Sequence, residues 1–290
     1  MKICRFRNDQ LGDNRIGIVE GDEVADVSTI LEDLPAYRYP LPLGDMFIER
    51  LEQLRPKMAQ LAKSGRRLNL RDVTLLSPVA NPGKIIGIGR SYKAHAEEAK
   101  KDPTIEYTPA ATPPDTIRML MKANTALVGP AHGVELRFLD RRNDPEVEFA
   151  IVIGRRGTDI PLENVWDFVA GYAIGLDMTL RGPELACHRK SIDTYAVLGP
   201  WLVTRDEIAD PQNIAFSLDV NGERRQDANT RDLLFPIARI IANASAHYTL
   251  YPGDIIMTGT PEGVAPIHPG DVMQIAMQGI GPMTVAIRAH

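Results

Sequence analysis

The stretch that decides the fold is NDPEVEFAIVIG, residues 143–154 of the 290-residue chain. In an extended strand, alternate side chains point to opposite faces. Glu146 and Glu148 therefore share one face, while Val147 and Phe149 begin an apolar row on the other. The strand is otherwise apolar on both faces, so it is predicted to be buried on both sides. Two buried carboxylates would repel each other unless a cation neutralised them. A strand end whose glutamates face water would explain the same stretch.

A third carboxylate favours the cation. Asp177 ends the apolar run AGYAIGLD, residues 170–177, which is predicted to form another buried strand. Glu146, Glu148 and Asp177 have no His or Cys nearby, and an all-oxygen set selects Mg²⁺, Mn²⁺ or Ca²⁺ rather than zinc. Three carboxylates leave coordination positions for water and for substrate oxygens. The sequence therefore predicts a divalent-metal site held by these three acids.

Short predicted strands dominate residues 77–290, and Gly or Pro punctuates nearly every gap between them. One helix is predicted from Thr230 to Ala246, with Leu234 on its apolar face. Strands outnumber helices and do not alternate with them regularly, which argues against a doubly wound sheet. We predict an α+β fold built on a mostly antiparallel, rolled sheet.

Residues 1–76 are predicted to form a small N-terminal α+β domain. Apolar residues flank the EGDE stretch at 20–23, which indicates a hairpin with Gly at its turn. A helix is predicted over residues 45–63, with a kink or a division at Pro56. Ser-Pro and Asn-Pro-Gly within residues 77–83 indicate a boundary, after which the larger domain begins.

The stretch GRSYKAHAEE, residues 89–98, holds a second candidate group. If it is helical, His95 and Glu98 stand three apart on one face. A carboxylate beside an imidazole fixes its tautomer and raises its basicity, which suits a general base. A surface helix also explains the pair. A catalytic role is favoured by the position of the pair between an apolar strand and residues 99–117, a proline-rich, aperiodic segment predicted to be a lid or a solvated excursion.

Three cations and one turn are weaker candidates. Lys122, Arg181 and Lys190 could each neutralise a carboxylate or an enolate oxygen, although a solvated side chain is the simpler explanation of each. Thr260 lies in a tight Gly-Thr-Pro turn whose backbone amides and hydroxyl could bind an anionic group. A structural hairpin explains that turn equally well.

Composition limits the classes of partner. The net charge is −5, and Lys and Arg are scattered, which argues against nucleic acid or an anionic membrane as the main partner. No apolar run approaches the roughly 20 residues that span a bilayer. The opening residues MKICRFR alternate as in a strand and not as in a signal peptide. Cys4 and Cys187 form neither a CxxC pair nor a disulfide framework, so we expect a cytoplasmic protein.

Together, these segments resemble the fumarylacetoacetate hydrolase family. The resemblance covers about residues 79–290, and its marks fall in the order that the family has. These marks are Gly89-x-x-Tyr92-x-x-His95-x-x-Glu98, Lys122, Gly129-Pro130, Glu146-x-Glu148, Asp177 with Thr179 and Arg181, Lys190-Ser191-x-Asp193, Leu198-Gly199-Pro200, Val220-Asn221-Gly222 with Gln226 and Thr230, and the Pro-Gly-Asp and Thr-Gly-Thr-Pro segments.

The resemblance implies a site and an assembly. Glu146, Glu148 and Asp177 match the residues with which the family holds Mg²⁺ or Mn²⁺, and Ca²⁺ could take their place in a crystal. His95 and Glu98 match a catalytic dyad on a short helix that closes over the site. The fold expected is a mixed β-sandwich roll, usually a homodimer.

The resemblance also assigns residues to the substrate, a small oxo-acid. Lys190 matches a catalytic lysine that contacts substrate and stabilises the developing enolate. Four further residues are expected to bind substrate: Tyr92, Lys122, Arg181 and Thr260. Departures from the family pattern leave the substrate open. They are Ser91 and Leu176 where Asn is common, Gly182 where Asp is usual, and Glu184 where Gln often contacts substrate.

The expected reaction is metal-dependent hydrolysis of a carbon–carbon bond in a β-diketo acid. The substrate would be of the acylpyruvate or fumarylacetoacetate type, or a diketo sugar acid. The same site could decarboxylate oxaloacetate or isomerise unsaturated dicarboxylates of the hydroxymuconate or 2-hydroxyhepta-2,4-diene-1,7-dioate type. A non-catalytic oxo-acid-binding protein is the alternative from another class. Retention of both His95 and Glu98 argues against it, since such a protein needs no base.

Overall fold

The computed structural model describes residues 1–102, 104–105 and 115–290. The helices are α1 (Met46–Glu49), α2 (Leu51–Ser64), α3 (Lys93–Lys101), α4 (Ala186–Lys190) and α5 (Ile237–His247). The strands are β1 (Lys2–Asn8), β2 (Gly12–Glu20), β3 (Glu23–Asp26), β4 (Arg67–Asn69), β5 (Thr74–Leu76), β6 (Ile85–Gly89), β7 (Arg118–Lys122), β8 (Leu127–Val128), β9 (Val134–Leu136), β10 (Asn143–Asp144), β11 (Val147–Ile153), β12 (Val169–Asp177), β13 (Thr179–Leu180), β14 (Ala196–Thr204), β15 (Ala215–Val220), β16 (Glu223–Asn229), β17 (Ile255–Met257), β18 (Val272–Met277) and β19 (Gly281–Ala289). Among the helices of the described ranges, none is long and apolar enough to cross a membrane.

The large sheet runs in the order β4-β3-β2-β1-β14-β12-β11-β17-β6-β7, with β5 on β1 and β8 on β14. Neighbouring strands are antiparallel except at β17–β6 and β14–β8. The predicted mixed, mostly antiparallel sheet is confirmed. The N-terminal strands extend this same sheet, because β1 pairs with β14. The hairpin of β2 and β3 turns at Gly21, whose φ is +61°, as the sequence predicts. The division into domains at residue 76 stays a prediction.

A second sheet, in the order β16-β15-β18-β19-β9, packs against the large one. The core between them includes Phe149 and Tyr172 from the large sheet, whose rings stack at 5.0 Å. Phe216 and Met283 enter it from the second sheet. Two packed sheets of this kind form the predicted sandwich.

Strand β11 lies deep in the molecule, and all seven of its residues are buried. Phe149 and Ile151 point into the core between the sheets. Ala150 and Val152 point into a second core, which α1 and α2 cover. Glu148 shares the face of these two small residues, as the alternation predicts. The strand is therefore buried on both sides, which was the first condition for a charged group that requires neutralisation.

The predicted helix over residues 45–63 forms as two helices, α1 and α2, that meet at Arg50. A division at Pro56 is wrong, because Pro56 lies inside α2, and a kink there stays a prediction. A proline there removes only the hydrogen bond to the carbonyl four residues earlier, at the exposed Glu52. Arg50 has a ψ of 3°, outside the helical range, and its N–H bonds three residues back to Phe47.

The predicted helix over residues 230–246 begins later than expected, at Ile237. Residues Thr230–Asp232 form a separate 3₁₀ turn. Pro236 disfavours the helical conformation in the residue before it, so the helix starts after the proline. Leu234 is exposed and lies outside α5, so its predicted place on the apolar face is wrong.

Part of the predicted lid segment is described. Residues 99–101 continue α3, so this stretch is helical and not aperiodic. Residues 103 and 106–114 lie outside the described residues, and the prediction of a lid or a surface excursion there stays a prediction.

Candidate active site

Three carboxylates converge where β11 and β12 run side by side. Glu148 lies in β11 opposite Gly175, and Asp177 ends β12. Glu146 directly precedes β11, and its carbonyl accepts the N–H of Asp177 at 2.8 Å. One carboxylate oxygen from each of Glu146, Glu148 and Asp177 lies within 4.8 Å of the others, and all three residues are buried. The strand register therefore brings together the acids that the sequence singled out.

Two buried lysines hold the acids. The Lys190 ammonium, at the end of α4, lies 2.7 Å from Glu146 Oε2 and 2.6 Å from Asp177 Oδ2. Lys122, at the end of β7, bonds the other oxygen of Asp177 and the backbone carbonyl of Lys190. The two ammonium groups thus offset part of the negative charge of the acids.

Arg181 contributes a third cation to the cluster. Its guanidinium donates to Glu146 Oε1 at 2.7 Å and to Asp144 Oδ2 at 2.8 Å. The pKa of Glu146 is held well below its usual range, because the charges of Lys190 and Arg181 outweigh the opposing effect of burial.

Glu148 has the opposite electrostatic balance. Burial and the negative charge of Asp177 raise its pKa well above the usual range. Its Oε2 accepts the backbone N–H of Gly259 at 2.5 Å. The Gly-Thr-Pro turn thus presents a backbone amide to an anion, and the anion is this carboxylate. A buried carboxylate beside two others is unfavourable unless a cation balances it.

The donor set fits a divalent ion. The three carboxylate oxygens lie within 4.8 Å of one another, close enough for each to reach one ion at about 2.0–2.5 Å. The three donors are carboxylate oxygens, which suit Mg²⁺, Mn²⁺ or Ca²⁺. Glu146, Glu148 and Asp177 are thus the residues that could hold it.

The His–Glu pair forms on α3. His95 Nδ1 lies 2.9 Å from Glu98 Oε2, and Glu98 Oε1 accepts the N–H of Gly263 at 2.9 Å. An ionised Glu98 accepts from Nδ1–H, which leaves Nε2 of the ring as the basic nitrogen. His95 lines one cavity together with Glu146 and Asp177. The structure therefore brings the pair and the acids to the same space.

That cavity has a volume of about 220 Å³, and two groups of charged or polar residues line it. Glu146, Asp177, Lys190, Arg181 and Thr260 form one part of its lining. Arg90 and Arg118 lie on another, beside each other, because Gly89 at the end of β6 pairs with Arg118 at the start of β7. Partial burial and the charge of Arg118 lower the pKa of Arg90. An anionic group would be favoured beside this pair.

Two of the predicted substrate-binding residues do not line the cavity. Tyr92 is buried, and its ring packs edge-on against Phe216 at 6.3 Å. Its hydroxyl has no hydrogen-bond partner among the described residues. Burial and the charge of Glu148 raise the pKa of Tyr92 well above its usual range. Lys122 forms an ion pair with Asp177 and is not part of the cavity lining. Their predicted contact with substrate stays a prediction, which these positions do not support.

Sequence reasoning missed Asp144 and Arg142. Asp144 is fully buried and binds the guanidinium groups of both Arg142 and Arg181. Its alternation with Glu146 and Glu148 was a signal that could have pointed to it. Its partner Arg181 is 37 positions away, so the pairing itself was not visible.

Residues 84–288 match the family model for the fumarylacetoacetate (FAA) hydrolase C-terminal domain. The chain belongs to the fumarylacetoacetate hydrolase family. The family predicted from the sequence motifs is thereby confirmed, and so is its fold. Residues 1–78 match a second family model, described as Rv2993c-like, N-terminal.

Several relatives match along nearly their whole length. Maleylpyruvate hydrolase from Aquipseudomonas alcaligenes is 50% identical, and the match covers all of both chains. The crystal structure of maleylpyruvate hydrolase from Sphingobium sp. SYK-6, in complex with manganese(II) ion and pyruvate, has a TM-score of 0.83 at 36% identity and covers 100% of this chain and 99% of that one. The mitochondrial oxaloacetate tautomerase Fahd2a of Rattus norvegicus is 32% identical, over 97% of this chain and 90% of the relative.

Proposed function

We propose that this protein is a divalent-metal-dependent hydrolase that cleaves a carbon–carbon bond of an acylpyruvate such as maleylpyruvate. One observation carries this conclusion: Glu146 and Asp177 of the carboxylate cluster line one cavity together with His95, whose ring contacts Glu98. The predicted activity class agrees with the maleylpyruvate hydrolases that match the chain end to end.

The metal we propose is Mn²⁺ or Mg²⁺, held by the three carboxylates. Such an ion supplies Lewis acidity, which polarises a carbonyl, and a template for the oxygens of a 2-oxo-acid. A solved relative contains manganese(II) and pyruvate, and pyruvate is the oxo-acid half of maleylpyruvate. The carboxylate set suits either ion.

His95 is the proposed general base. Glu98, 2.9 Å from Nδ1, orients the ring so that Nε2 can take a proton from water. The water oxygen then bonds to the acyl carbon, and the carbon–carbon bond breaks with its electron pair passing to the pyruvate fragment. The Lys190 ammonium, which lines the cavity, would stabilise the negative charge on that fragment until a proton returns to its carbon.

The arginine wall supports a substrate with a second carboxylate. A maleyl group ends in a carboxylate, and Arg90 and Arg118 stand together on the wall of the same cavity. Guanidinium groups pair with carboxylates in a fixed, two-pronged geometry. We therefore propose that acylpyruvates with an acidic tail are preferred over acetylpyruvate.

A second candidate reaction is proton transfer without hydrolysis. The rat relative is an oxaloacetate tautomerase. Moving a proton between carbon and oxygen needs the base His95 and charge stabilisation by Lys190, but no attack by water. Isomerisation of unsaturated dicarboxylates and decarboxylation of oxaloacetate would use the same groups.

The experiment is a turnover screen of the purified chain with Mn²⁺ or Mg²⁺. Maleylpyruvate, acetylpyruvate, oxaloacetate, a diketo sugar acid and a hydroxymuconate-type dicarboxylate are assayed side by side, with a chelated sample as control. The proposal expects maleylpyruvate to have the highest kcat/KM and to yield pyruvate. Turnover of oxaloacetate alone would replace the hydrolase with the second candidate.

We further propose that the protein acts as a homodimer in the cytoplasm. The proposal of a dimer is based on the oligomeric state that is usual in the family. The proposed location is based on the two unpaired cysteines, Cys4 and Cys187. Light scattering on the purified chain checks the dimer. Fractionation of the source cells checks the location.

A further inference from the structure

The carboxyl end of α3 is attached to the acid cluster by one guanidinium group. Arg142 Nη1 donates to Asp102 Oδ2 at 2.8 Å and to Thr104 Oγ1 at 2.8 Å, directly after the helix. Arg142 Nε donates to Asp144 Oδ1 at 2.8 Å, and Nη2 to the carbonyl of Val264 at 3.3 Å. Arg142 therefore joins the end of the helix, the strand before the acids and the loop after the Gly-Thr-Pro turn.

The contacts continue inward as alternating charges. Asp144 is fully buried, and its second oxygen accepts from Arg181 Nε at 2.8 Å. Arg181 in turn donates to Glu146 Oε1 at 2.7 Å and to the carbonyl of Ile105 at 3.2 Å. The path Asp102–Arg142–Asp144–Arg181–Glu146 thus connects α3 with a candidate metal ligand.

Among the described residues, the helix end also has one hydrogen bond from Arg181, to the carbonyl of Ile105, and few apolar contacts. Ala99, Ile105 and Val264 form a separate cluster of three small or aliphatic side chains. Burial of so little apolar surface stabilises weakly compared with the cores of the two sheets. Directed hydrogen bonds to charged groups therefore carry a large share of the attachment.

We propose that Arg142 is a positioning residue, which holds the carboxyl end of α3 against the acid cluster and so keeps His95 over the cavity. Arginine suits this task because its planar group donates in three directions at once, whereas a lysine would reach fewer partners. Arg142 lines no part of the cavity that holds His95, so it acts through the helix and not on substrate.

The test compares hydrogen–deuterium exchange of the α3 amides in four single variants and one double variant without substrate. Arg142→Gln removes the positive charge. Arg142→Lys keeps the charge but loses the planar group with its three donor nitrogens. Asp102→Asn removes the negative charge that Arg142 contacts at the helix end, at a side chain that is 38% exposed. The amide oxygen can still accept the hydrogen bonds from Thr104. Arg137→Gln is the matched control, since it breaks a surface arginine–carboxylate pair with Asp193.

The expected rise in α3 exchange is about tenfold or more in Arg142→Gln, as for loss of charge-assisted hydrogen bonds. Arg142→Lys should lie between this variant and wild type. Asp102→Asn should give about two- to fivefold, the size of an exposed ion pair. In the double variant with Asp102→Asn and Arg142→Gln, the α3 amides should exchange no faster than in Arg142→Gln alone. The contact between Asp102 and Arg142 is already lost in the single variant. Arg137→Gln should leave α3 unchanged.

Kinetics supply the second readout, and this arm alone rests on the proposed function. Arg142→Gln should lower kcat for maleylpyruvate about tenfold while KM changes less than about twofold, because the carboxylates proposed to hold the metal stay in place. A merely structural role would lower the amount of folded enzyme and leave the kcat of the folded fraction unchanged.

Three results would overturn the positioning role. One is α3 exchange in Arg142→Gln equal to that in Arg137→Gln, and another is an equal rise across β11 and β12. The third is additive exchange in the double variant. If wild type hydrolyses no acylpyruvate but α3 responds as described, the role of Arg142 stands and the proposed function fails. If hydrolysis is found and α3 does not respond, the positioning role fails alone.

Discussion

The acid cluster and α3 face the same cavity, but they are held there in different ways. Glu148 and Asp177 project from β11 and β12, two strands that are buried along their whole length and paired residue by residue. His95 projects from a nine-residue helix attached by side-chain contacts at Glu98 and Asp102. The backbone ladder thus positions the candidate metal ligands, whereas a few hydrogen bonds position the base. The comparison predicts that the two halves of the site can be disabled separately.

The largest effect is expected from Glu148→Gln. Losing a metal ligand should cost more than the roughly 10–100-fold that outer-shell changes cost, and activity should fall below detection. The metal-free variant should melt at the same or a higher temperature than metal-free wild type. Burial next to Asp177 disfavours the charge of Glu148 in the fold, and the amide removes that repulsion. Activity assays and thermal melts of chelated samples check both parts.

The control for this change is Glu163→Gln, at an exposed glutamate far from the cavity lining. It should leave both turnover and the effect of metal on the melting temperature unchanged. A Glu148→Gln variant that is still stabilised by Mn²⁺ as strongly as wild type would show that the ion binds elsewhere.

His95→Ala should lower maleylpyruvate hydrolysis by about 10²–10⁴-fold, the usual loss for a general base. Affinity for Mn²⁺, measured by calorimetry, should stay within about twofold, because the strands hold the acids independently of α3. The matched control is His247→Ala, at an exposed ring on α5 that bonds only its own helix. Loss of metal binding in His95→Ala would contradict the separation of the two halves.

Period-two alternation was enough to find Glu146 and Glu148, because burial of β11 on both faces made charged residues there exceptional. Asp177 followed from the same logic at a strand end. The alternation was not extended to Asp144, whose role depends on Arg181, 37 residues away. Contacts over such distances follow from the sheet register, which no local pattern contains.

Two helix boundaries differ from their predicted positions because of the local backbone conformation. The pattern of apolar residues predicted helices over 45–63 and 230–246 but missed the division of the first helix and the late start of the second. Backbone geometry decided these, at Arg50 in the first case and at Pro236 in the second. The sequence identified the cations as residues that could neutralise a carboxylate, but it did not pair each cation with a particular acid. Lys122 and Lys190 bind the acids directly, and only the fold shows this.

A smaller effect is expected at the arginine wall. Arg118→Met should lower kcat/KM for maleylpyruvate by about 10–100-fold relative to acetylpyruvate, the range for one hydrogen-bonded charge. Acetylpyruvate, which has no tail carboxylate, is the internal control. Equal loss for both substrates would assign Arg118 to the structure of the wall and not to selectivity. The ratio of the two kcat/KM values is the measurement.

The smallest effect is expected at Glu184, on the loop that leads into α4. It forms a two-pronged pair with Arg141 at 2.8 and 2.9 Å, and hydrogen bonds from Arg141 help hold its pKa at about 2. Both partners are partly exposed. Glu184→Gln should therefore change kcat/KM by no more than about twofold. A larger loss, in steady-state kinetics, would place Glu184 in contact with substrate.

The most direct test of the central claim is a crystal structure of the protein with Mn²⁺ and pyruvate. The account predicts one ion with an oxygen of each of Glu146, Glu148 and Asp177 at about 2.0–2.5 Å. It also predicts pyruvate in the same cavity and His95 facing it. An ion bound away from these carboxylates, or carboxylates that turn apart when the ion is present, would contradict it.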